Sequence, residues 1–420
     1  MRALLVIIAL GACDGSSAAT PDAPEGVDAA IDAAIDAAVV PDPCPPVAAC
    51  PAAPADLAMG GGLRAIDRCA FPLAFDPVQR DTFSARIDAL PAKLTRVTLA
   101  DVATDLNRAA TKVTAVPGNP PGLRNAWLWQ SGDEAVEYWI PQGVTGSFDA
   151  TASGLVGGRK LVLVSWYYER ANDPGSTVEK GVRIAIADVT NPAAVAYRFA
   201  LLVSPTAAGG LAAIEIHAGG LAWVGDRLYV PVTTGGFRVF DLSRILTLDG
   251  TADSLGPDAG GVWSAYGYAY AIPELARYTV GNATCAPRFS FVSKDDDALV
   301  SGEYDAATIR GRIHRWPLAA NGDLELTSTG RVVPDAAFIM GESHVQGALG
   351  HGGTYWLSSS RPAGGAGELD RVKEGAATVR LPWSDTPEDL AFDPQGQTVW
   401  SLSEGLNARY LFEVALSAVD

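Results

Sequence analysis

Basic side chains are few and scattered in this sequence. It carries 31 Lys and Arg against 48 Asp and Glu, a formal net charge of −17, and no basic cluster offsets it. Affinity for a phosphate backbone comes mainly from neutralising it with such residues, so nucleic acid is excluded as a partner. Cysteine is scarce, at 5 residues, and no CxxC pair occurs, which leaves a zinc ribbon or a thioredoxin-type redox centre without support. GxSxG, HExxH, phosphate-loop and dinucleotide fingerprints are absent too, so a serine hydrolase has no visible nucleophile elbow.

Glycine, by contrast, is abundant, with 44 residues in a chain of 420 that is 48% hydrophobic. Such a chain can bury a substantial core and make many tight turns. Its glycines fall within a recurring grammar of small or polar lead-in, Gly-rich turn, aromatic strand and second strand. The clearest copies are His217-Ala218-Gly219-Gly220-Leu221 leading to Arg227-Leu228-Tyr229-Val230, and Val345-Gln346-Gly347-Ala348 leading to Thr354-Tyr355-Trp356-Leu357. A period of some tens of residues built from short strands means a solenoid, propeller or array. Aligned on Val144, Leu221, Phe291, Ala348 and Leu390, the copies are followed by strands at 161–168, 227–233, 298–304, 354–358 and 398–403. Third strands follow at or near a Gly, and fourth strands are expected at 197–203, 266–272, 330–333 and 377–381. The expectation is an all-β, five-bladed β-propeller, six being the alternative count, of four-stranded antiparallel blades with a short helical N-terminal prologue. The last copy ends one strand short. Residues 134–140 are expected to pair with the strand containing Tyr410 and Phe412 and so remove an exposed sheet edge.

The front end has its own composition. Met1-Arg2, the apolar run 3–10 and Leu10-Gly11-Ala12-Cys13 resemble a bacterial lipoprotein signal (1–12), with Cys13 as the lipidated residue. The run is too short to cross a bilayer, and several acyl chains anchor stably where one is marginal. The resemblance implies an extracytoplasmic protein held to a bacterial membrane through lipid alone, on the periplasmic side or the cell surface. Residues 13–56, rich in Ala, Pro and Asp and without Lys or Arg, read as an acidic disordered tether. Residues 57–126 form the prologue, with one helix after Asp76-Pro77 and another from Thr98 or Leu99 to Arg108. The propeller takes 127–420. Beyond Cys13, the even set Cys44, Cys50, Cys69 and Cys285 suits an oxidising compartment and allows three pairings. A Cys44–Cys50 loop with a Cys69–Cys285 tie is one of them.

Trp139-Ile140-Pro141-Gln142-Gly143-Val144, Ser165-Trp166-Tyr167, His217 to Trp223, Ser301-Gly302-Glu303-Tyr304 and Pro387-Glu388-Asp389-Leu390 resemble a family of secreted bacterial β-propeller proteins without assigned activity. The resemblance implies fold and location and brings no catalytic residue with it.

Gln142, Gln346 and Glu388 share one position of the alignment and His217 and His344 another, so all five are expected at the central channel. They suit either a hydrogen-bonded lining or a site for a hard cation or an activated water, with Glu388, His217 and His344 as the metal candidates. Calcium is the one cofactor with any support, through the acidic turns at 295–297 and 249–258, and neither has EF-hand spacing. Tyr266, Tyr268, Tyr270, Tyr278, Trp166, Tyr167 and Tyr168 suit core packing or glycan stacking. The functional expectation is a monomeric binding or docking module for an envelope protein or glycan. The alternative is a metal-assisted hydrolase or lactonase working in the channel.

Overall fold

Residues 40–47, 49–360 and 366–420 are described by a computed structural model. Cys13, the signal and the first part of the tether lie outside the described residues.

Strands rich in Val, Leu and aromatic residues, buried on both faces, belong between packed sheets, and Leu161–Tyr168 and Thr398–Ser403 are of this kind. Each is the second strand of an antiparallel four-stranded meander. The first sheet runs Trp139–Gly146, Leu161–Tyr168, Val182–Asp188, Ala196–Pro205. The second runs Ala222–Val224, Arg227–Val232, Gly236–Asp241, Tyr270–Val280. The third is Phe291–Asp295, Ala298–Gly302, Arg312–Pro317, Ala336–Ile339. The fourth is Val345–His351, Thr354–Ser359, Ala366–Val372, Val379–Asp385. In the fifth, Pro387–Asp393, Thr398–Ser403 and Tyr410–Ala415 are completed by Leu123–Leu128 from the N-terminal side.

The core lies between successive sheets. Leu163 and Ile184 of the first pack with Trp223 and Phe240 of the second. Tyr229 and Tyr278 meet Leu299 and Trp316, Val300 and Ile313 meet Tyr355 and Leu357, and Trp356 and Trp383 meet Val399 and Phe412. Trp127 and Trp400 of the fifth sheet then pack with Val162 and Trp166 of the first. That last cluster closes the ring, and the chain is an all-β propeller. Each large apolar side chain so buried stabilises by about 1.5–3 kcal/mol.

Closure by an N-terminal strand is as expected, but the strand is different. Leu123–Leu128, not 134–140, pairs with Tyr410–Ala415. Residues 139–146 are instead the innermost strand of the first sheet, and Ser131–Glu134 is a single helical turn between the two. That turn seals the seam. Glu134 accepts from the backbone N–H of Trp129 (2.9 Å) and of Arg409 (3.1 Å), and Arg409 Nη1 donates to the Asp133 carbonyl (2.8 Å). Two outer strands also differ: the fourth strand of the second sheet starts at Tyr270 because Tyr266-Gly267 is a turn with positive φ at both residues, and that of the third is Ala336–Ile339.

The prologue covers edges. Arg64–Ala65 pairs with the outer strand of the third sheet, Leu73–Phe75 with that of the second, Arg108–Ala109 with that of the first and Thr111–Val113 with Leu123–Leu128 of the fifth. Unpaired backbone groups at outer strands invite foreign strands, and this belt occupies them. The helix at Pro77–Ala89 is capped by Asp76, which accepts from Val78 N and Gln79 N, and it buries Phe83 and Ile87. The second helix, Leu99–Val102, has a Thr98/Asp101 capping box but stops well short of Arg108, whose backbone joins the first sheet's edge instead.

The tether expected to reach residue 56 is fastened from residue 40 onward. Val40 bridges to Thr327, and the Asp42 carboxylate accepts from Arg331 Nη2 at 2.6 Å. The disulfides are Cys44–Cys69 and Cys50–Cys285. The tie to the ring at Cys285 therefore comes through Cys50, and no Cys44–Cys50 loop forms. Cross-links of this kind typically stabilise by about 2–4 kcal/mol and belong to oxidising compartments.

Candidate functional site

The innermost strands approach one another through residues with little or no side chain. In the alignment, the position before Val144, Leu221, Phe291, Ala348 and Leu390 holds Gly143, Gly220, Ser290, Gly347 and Asp389. A Cβ on Gly143 would lie 2.6 Å from the Gly220 carbonyl carbon, and one on Gly220 would lie 2.2 Å from Val292 N. Backbone thus fills the axis at this level, and Asp389 fills the remaining space. Its Oδ2 accepts from Val144 N and Leu221 N, both at 3.1 Å, so one carboxyl bridges three sheets. Among the described residues its Oδ1 makes no hydrogen bond. Burial pushes this carboxyl well above its usual range.

Above that plug the strands diverge around a cup of about 390 Å³ to which every sheet contributes. Gln142, Gln346 and Glu388 line it, as expected from their shared position, and His217 joins them at the mouth. His344 does not; its ring makes an edge contact with Tyr304 and lines a separate cavity beside Glu342 and Asp370. His344 itself has a left-handed backbone (φ 59°), whereas in the other lead-in the left-handed residue is Ala218 (φ 53°), one place after His217, so equal alignment positions do not bring their rings together. Among the described residues, no three His, Cys, Asp or Glu side chains lie close enough to hold a metal ion. The trio Glu388, His217 and His344 therefore does not converge, since His344 lines a different cavity from the other two.

The sequence reading missed Glu404, Tyr167, Tyr304 and Arg288 as cup residues. Glu404 lies just past the strand Thr398–Ser403, and its Oε2 accepts from Gln142 Nε2 at 2.8 Å. Gln346 Nε2 donates to Glu388 Oε1 at 3.2 Å. Each amide from one sheet thus orients a carboxyl from another. Tyr167 stacks on His217 with ring centroids 4.1 Å apart, and this desolvation lowers the imidazole below its ordinary range. Burial raises Glu388 well above the usual carboxylate range, with further upward pressure from Glu404 and then Asp389. Glu404 is raised by burial too, against the opposing effects of Gln142 and Arg409. Two further chambers adjoin the cup. One, of about 350 Å³, shares Glu404 with it, and the other, of about 450 Å³, shares Arg288 and Tyr304.

Of the other aromatic candidates, Trp166, Tyr168 and Tyr278 are core, while Tyr266, Tyr268 and Tyr270 are half-buried. Trp166 and Tyr278 are fully buried, Tyr268 accepts from Arg183 (3.1 Å) and Tyr270 donates to Asp105 (2.8 Å). The acidic turns considered for calcium are engaged internally: Asp295 and Asp297 pair with Arg315, Asp296 with His351 and Asp253 with Lys180.

A buried carboxyl whose pKa rises on folding has a definite pH signature. The folded protein holds a proton that the unfolded chain releases near 4.5, so Glu388 lowers stability progressively as pH climbs above that value and through the folded-state pKa. Glu388→Gln is expected to raise the urea midpoint at about pH 8 and to flatten its decline from about pH 5 upward. Parallel pH profiles for the two proteins would show that this carboxyl is solvated.

No family model matches the sequence, and no curated protein matches it. Among solved structures, the chain is similar to the Swd1 β-propeller domain of Myceliophteria thermophila, at 10% identity over 70% of this chain and 100% of that one, with a TM-score of 0.33. It is similar to a gluconolactonase from Xanthomonas campestris at 12% identity, over 73% and 97% of the two chains, with a TM-score of 0.30. A third likeness is to the GH43_1 enzyme of Xanthomonas citri, at 11% identity over 78% and 92%, with a TM-score of 0.33. Identities this low assign no activity.

Proposed function

We propose that this chain is an extracytoplasmic five-bladed β-propeller, held at a bacterial membrane through lipidated Cys13, that works as a binding module for an envelope protein or glycan. The cup is its ligand seat. Two disulfides support the compartment, and the five meanders with five inter-sheet cores support the blade count. The observation that carries the binding reading is the convergence on one cup of two amide–carboxyl pairs and a Tyr167–His217 stack, drawn from separate sheets. Polar groups placed at a few points around an aromatic wall fix orientation and select a ligand.

Binding to a glycan array and to solubilised envelope fractions tests this. Wild type is expected to capture a defined subset, and Tyr167→Ala is expected to lose it by tenfold or more while melting cooperatively. An empty array together with an empty pull-down at high protein concentration would end the binding reading.

A further inference from the structure

Carboxylates at the two ends of the ring axis are treated differently. Away from the cup, Asp393 pairs with Lys160 and Asp295 with Arg315. In the cup, Glu388 and Glu404 have only the Gln346 and Gln142 amides as side-chain partners, and among the described residues neither has a Lys, Arg or His within ion-pair distance. Arg409 donates its Nε to the Glu404 backbone carbonyl, not to the carboxyl. The converse holds at the rim. The Arg288 guanidinium makes no hydrogen bond or ion pair among the described residues, although it lines both the cup and the chamber beyond Tyr304. Its neighbour Arg312 is already taken, donating to both oxygens of Glu303 at 2.6 and 2.8 Å.

We infer that the ligand of the cup is a small zwitterion, an amino acid or amino-sugar acid, whose ammonium sits between Glu388 and Glu404 and whose carboxylate meets Arg288. This rests on the binding reading above and names the chemistry of its ligand. An ammonium offers three donors and one positive charge, which suits two acceptor oxygens that lack a cation. A guanidinium fork suits a carboxylate, which it can hold by two parallel bonds. The Tyr167–His217 stack supplies an apolar wall for the carbon skeleton between the charged ends. A neutral sugar would leave both carboxyls without a cation, and among the described residues a divalent cation would find no third acidic or imidazole ligand. The cup volume of about 390 Å³ suits a compact molecule. The groups facing Glu388 and Glu404 are Asp389, Arg409, Tyr167 and His217. Burial favours the protonated form of Glu388 and Glu404, and an ammonium favours the charged form, so its arrival releases protons.

Calorimetry on the full-length protein tests this with four probes. Muramic acid and alanyl-alanine carry both charges, on a sugar and on a peptide. Glucosamine carries only the ammonium, and N-acetylmuramic acid only the carboxylate. At least one zwitterion is expected to bind tenfold or more tighter than both single-charge compounds, releasing protons on binding, and which of the two does so identifies the source. Arg288→Gln is expected to bring muramic acid down to the level of glucosamine. Glu404→Gln, which removes a charge without changing shape, is expected to weaken the zwitterions at least tenfold and leave N-acetylmuramic acid unaffected. Single-charge compounds binding as tightly as zwitterions would overturn the inference and leave the binding reading intact. So would silence from all four probes alongside a positive array. Silence from the probes and the array together would remove the binding reading itself.

Discussion

Trp127→Ala is expected to cost about 3–5 kcal/mol and to do so by opening the ring where its two ends meet. The indole is buried in Leu123–Leu128, pairs in register with Leu411, lies parallel to Trp400 at 5.9 Å, and donates Nε1 to the Pro192 carbonyl at 3.0 Å. Truncation removes the packing between the fifth and first sheets and leaves that carbonyl without its donor, and both effects act at one seam. A loss of this size is a large fraction of the roughly 5–15 kcal/mol that stabilises a typical domain. Urea unfolding followed by tryptophan fluorescence measures it, and size-exclusion chromatography should show concentration-dependent dimers as the freed edge of Tyr410–Ala415 takes a strand from another molecule. A midpoint close to wild type, with no dimer, would mean that the ring is held closed elsewhere.

Gly220→Ala is expected to be at least as damaging, for the opposite reason. The added methyl would lie 2.2 Å from Val292 N and 2.8 Å from Val292 O, backbone atoms that cannot rotate aside. Overpacking in a core usually costs about 1–3 kcal/mol. Here the intruding group separates the inner edges of the second and third sheets and displaces the backbone next to Leu221 N, which donates to the Asp389 bridge, so a loss at or above about 3 kcal/mol, or failure to accumulate as soluble protein, is expected. Gly132→Ala is the control. Nothing lies within 4 Å of its added Cβ, so it should melt within about 0.5 kcal/mol of wild type. Equal behaviour of the two variants would show that the axis is not packed on backbone.

The inner half of each blade was legible because it obeys strong local rules. A Gly-bearing turn followed by a run such as Leu161 to Tyr168 or Thr398 to Ser403 admits few structures other than a strand buried on both faces. Outer strands obey weaker rules. Ala336–Ile339 is short and half-exposed, and Arg331–Val332, which looks like a blade strand in sequence, pairs with Leu73–Phe75 of the belt. The closing strand was misplaced because Leu123–Leu128 and the start of Trp139–Gly146 each carry a Trp ahead of Val144, and only pairing with Tyr410–Ala415 distinguishes them.

The cup was half legible for a related reason. Gln142, Gln346 and Glu388 share a register position, and register survives in the alignment. Asp389 carried a signal that could have been read, since it is a carboxyl where three other repeats have Gly143, Gly220 and Gly347. Glu404 and Arg288 sit beyond strand ends, where side-chain direction depends on loop geometry that no periodicity encodes. His344 failed in the same way, because a shared sequence offset outside a strand does not guarantee a shared direction.

The belt of edge strands has a consequence for biosynthesis. Residues 64–113 leave the ribosome before any of the sheets whose borders they cover, and Leu123–Leu128 must wait for Tyr410–Ala415, which is made after the other four sheets. A nascent chain therefore carries most covering strands unpaired until a distant partner is made, the closing strand Leu123–Leu128 longest of all, and contacts this distant in sequence form slowly. Late pairing of this kind suits the export proposed above, and the belt's docking brings Cys50 to Cys285, a disulfide of the sort that oxidising compartments favour.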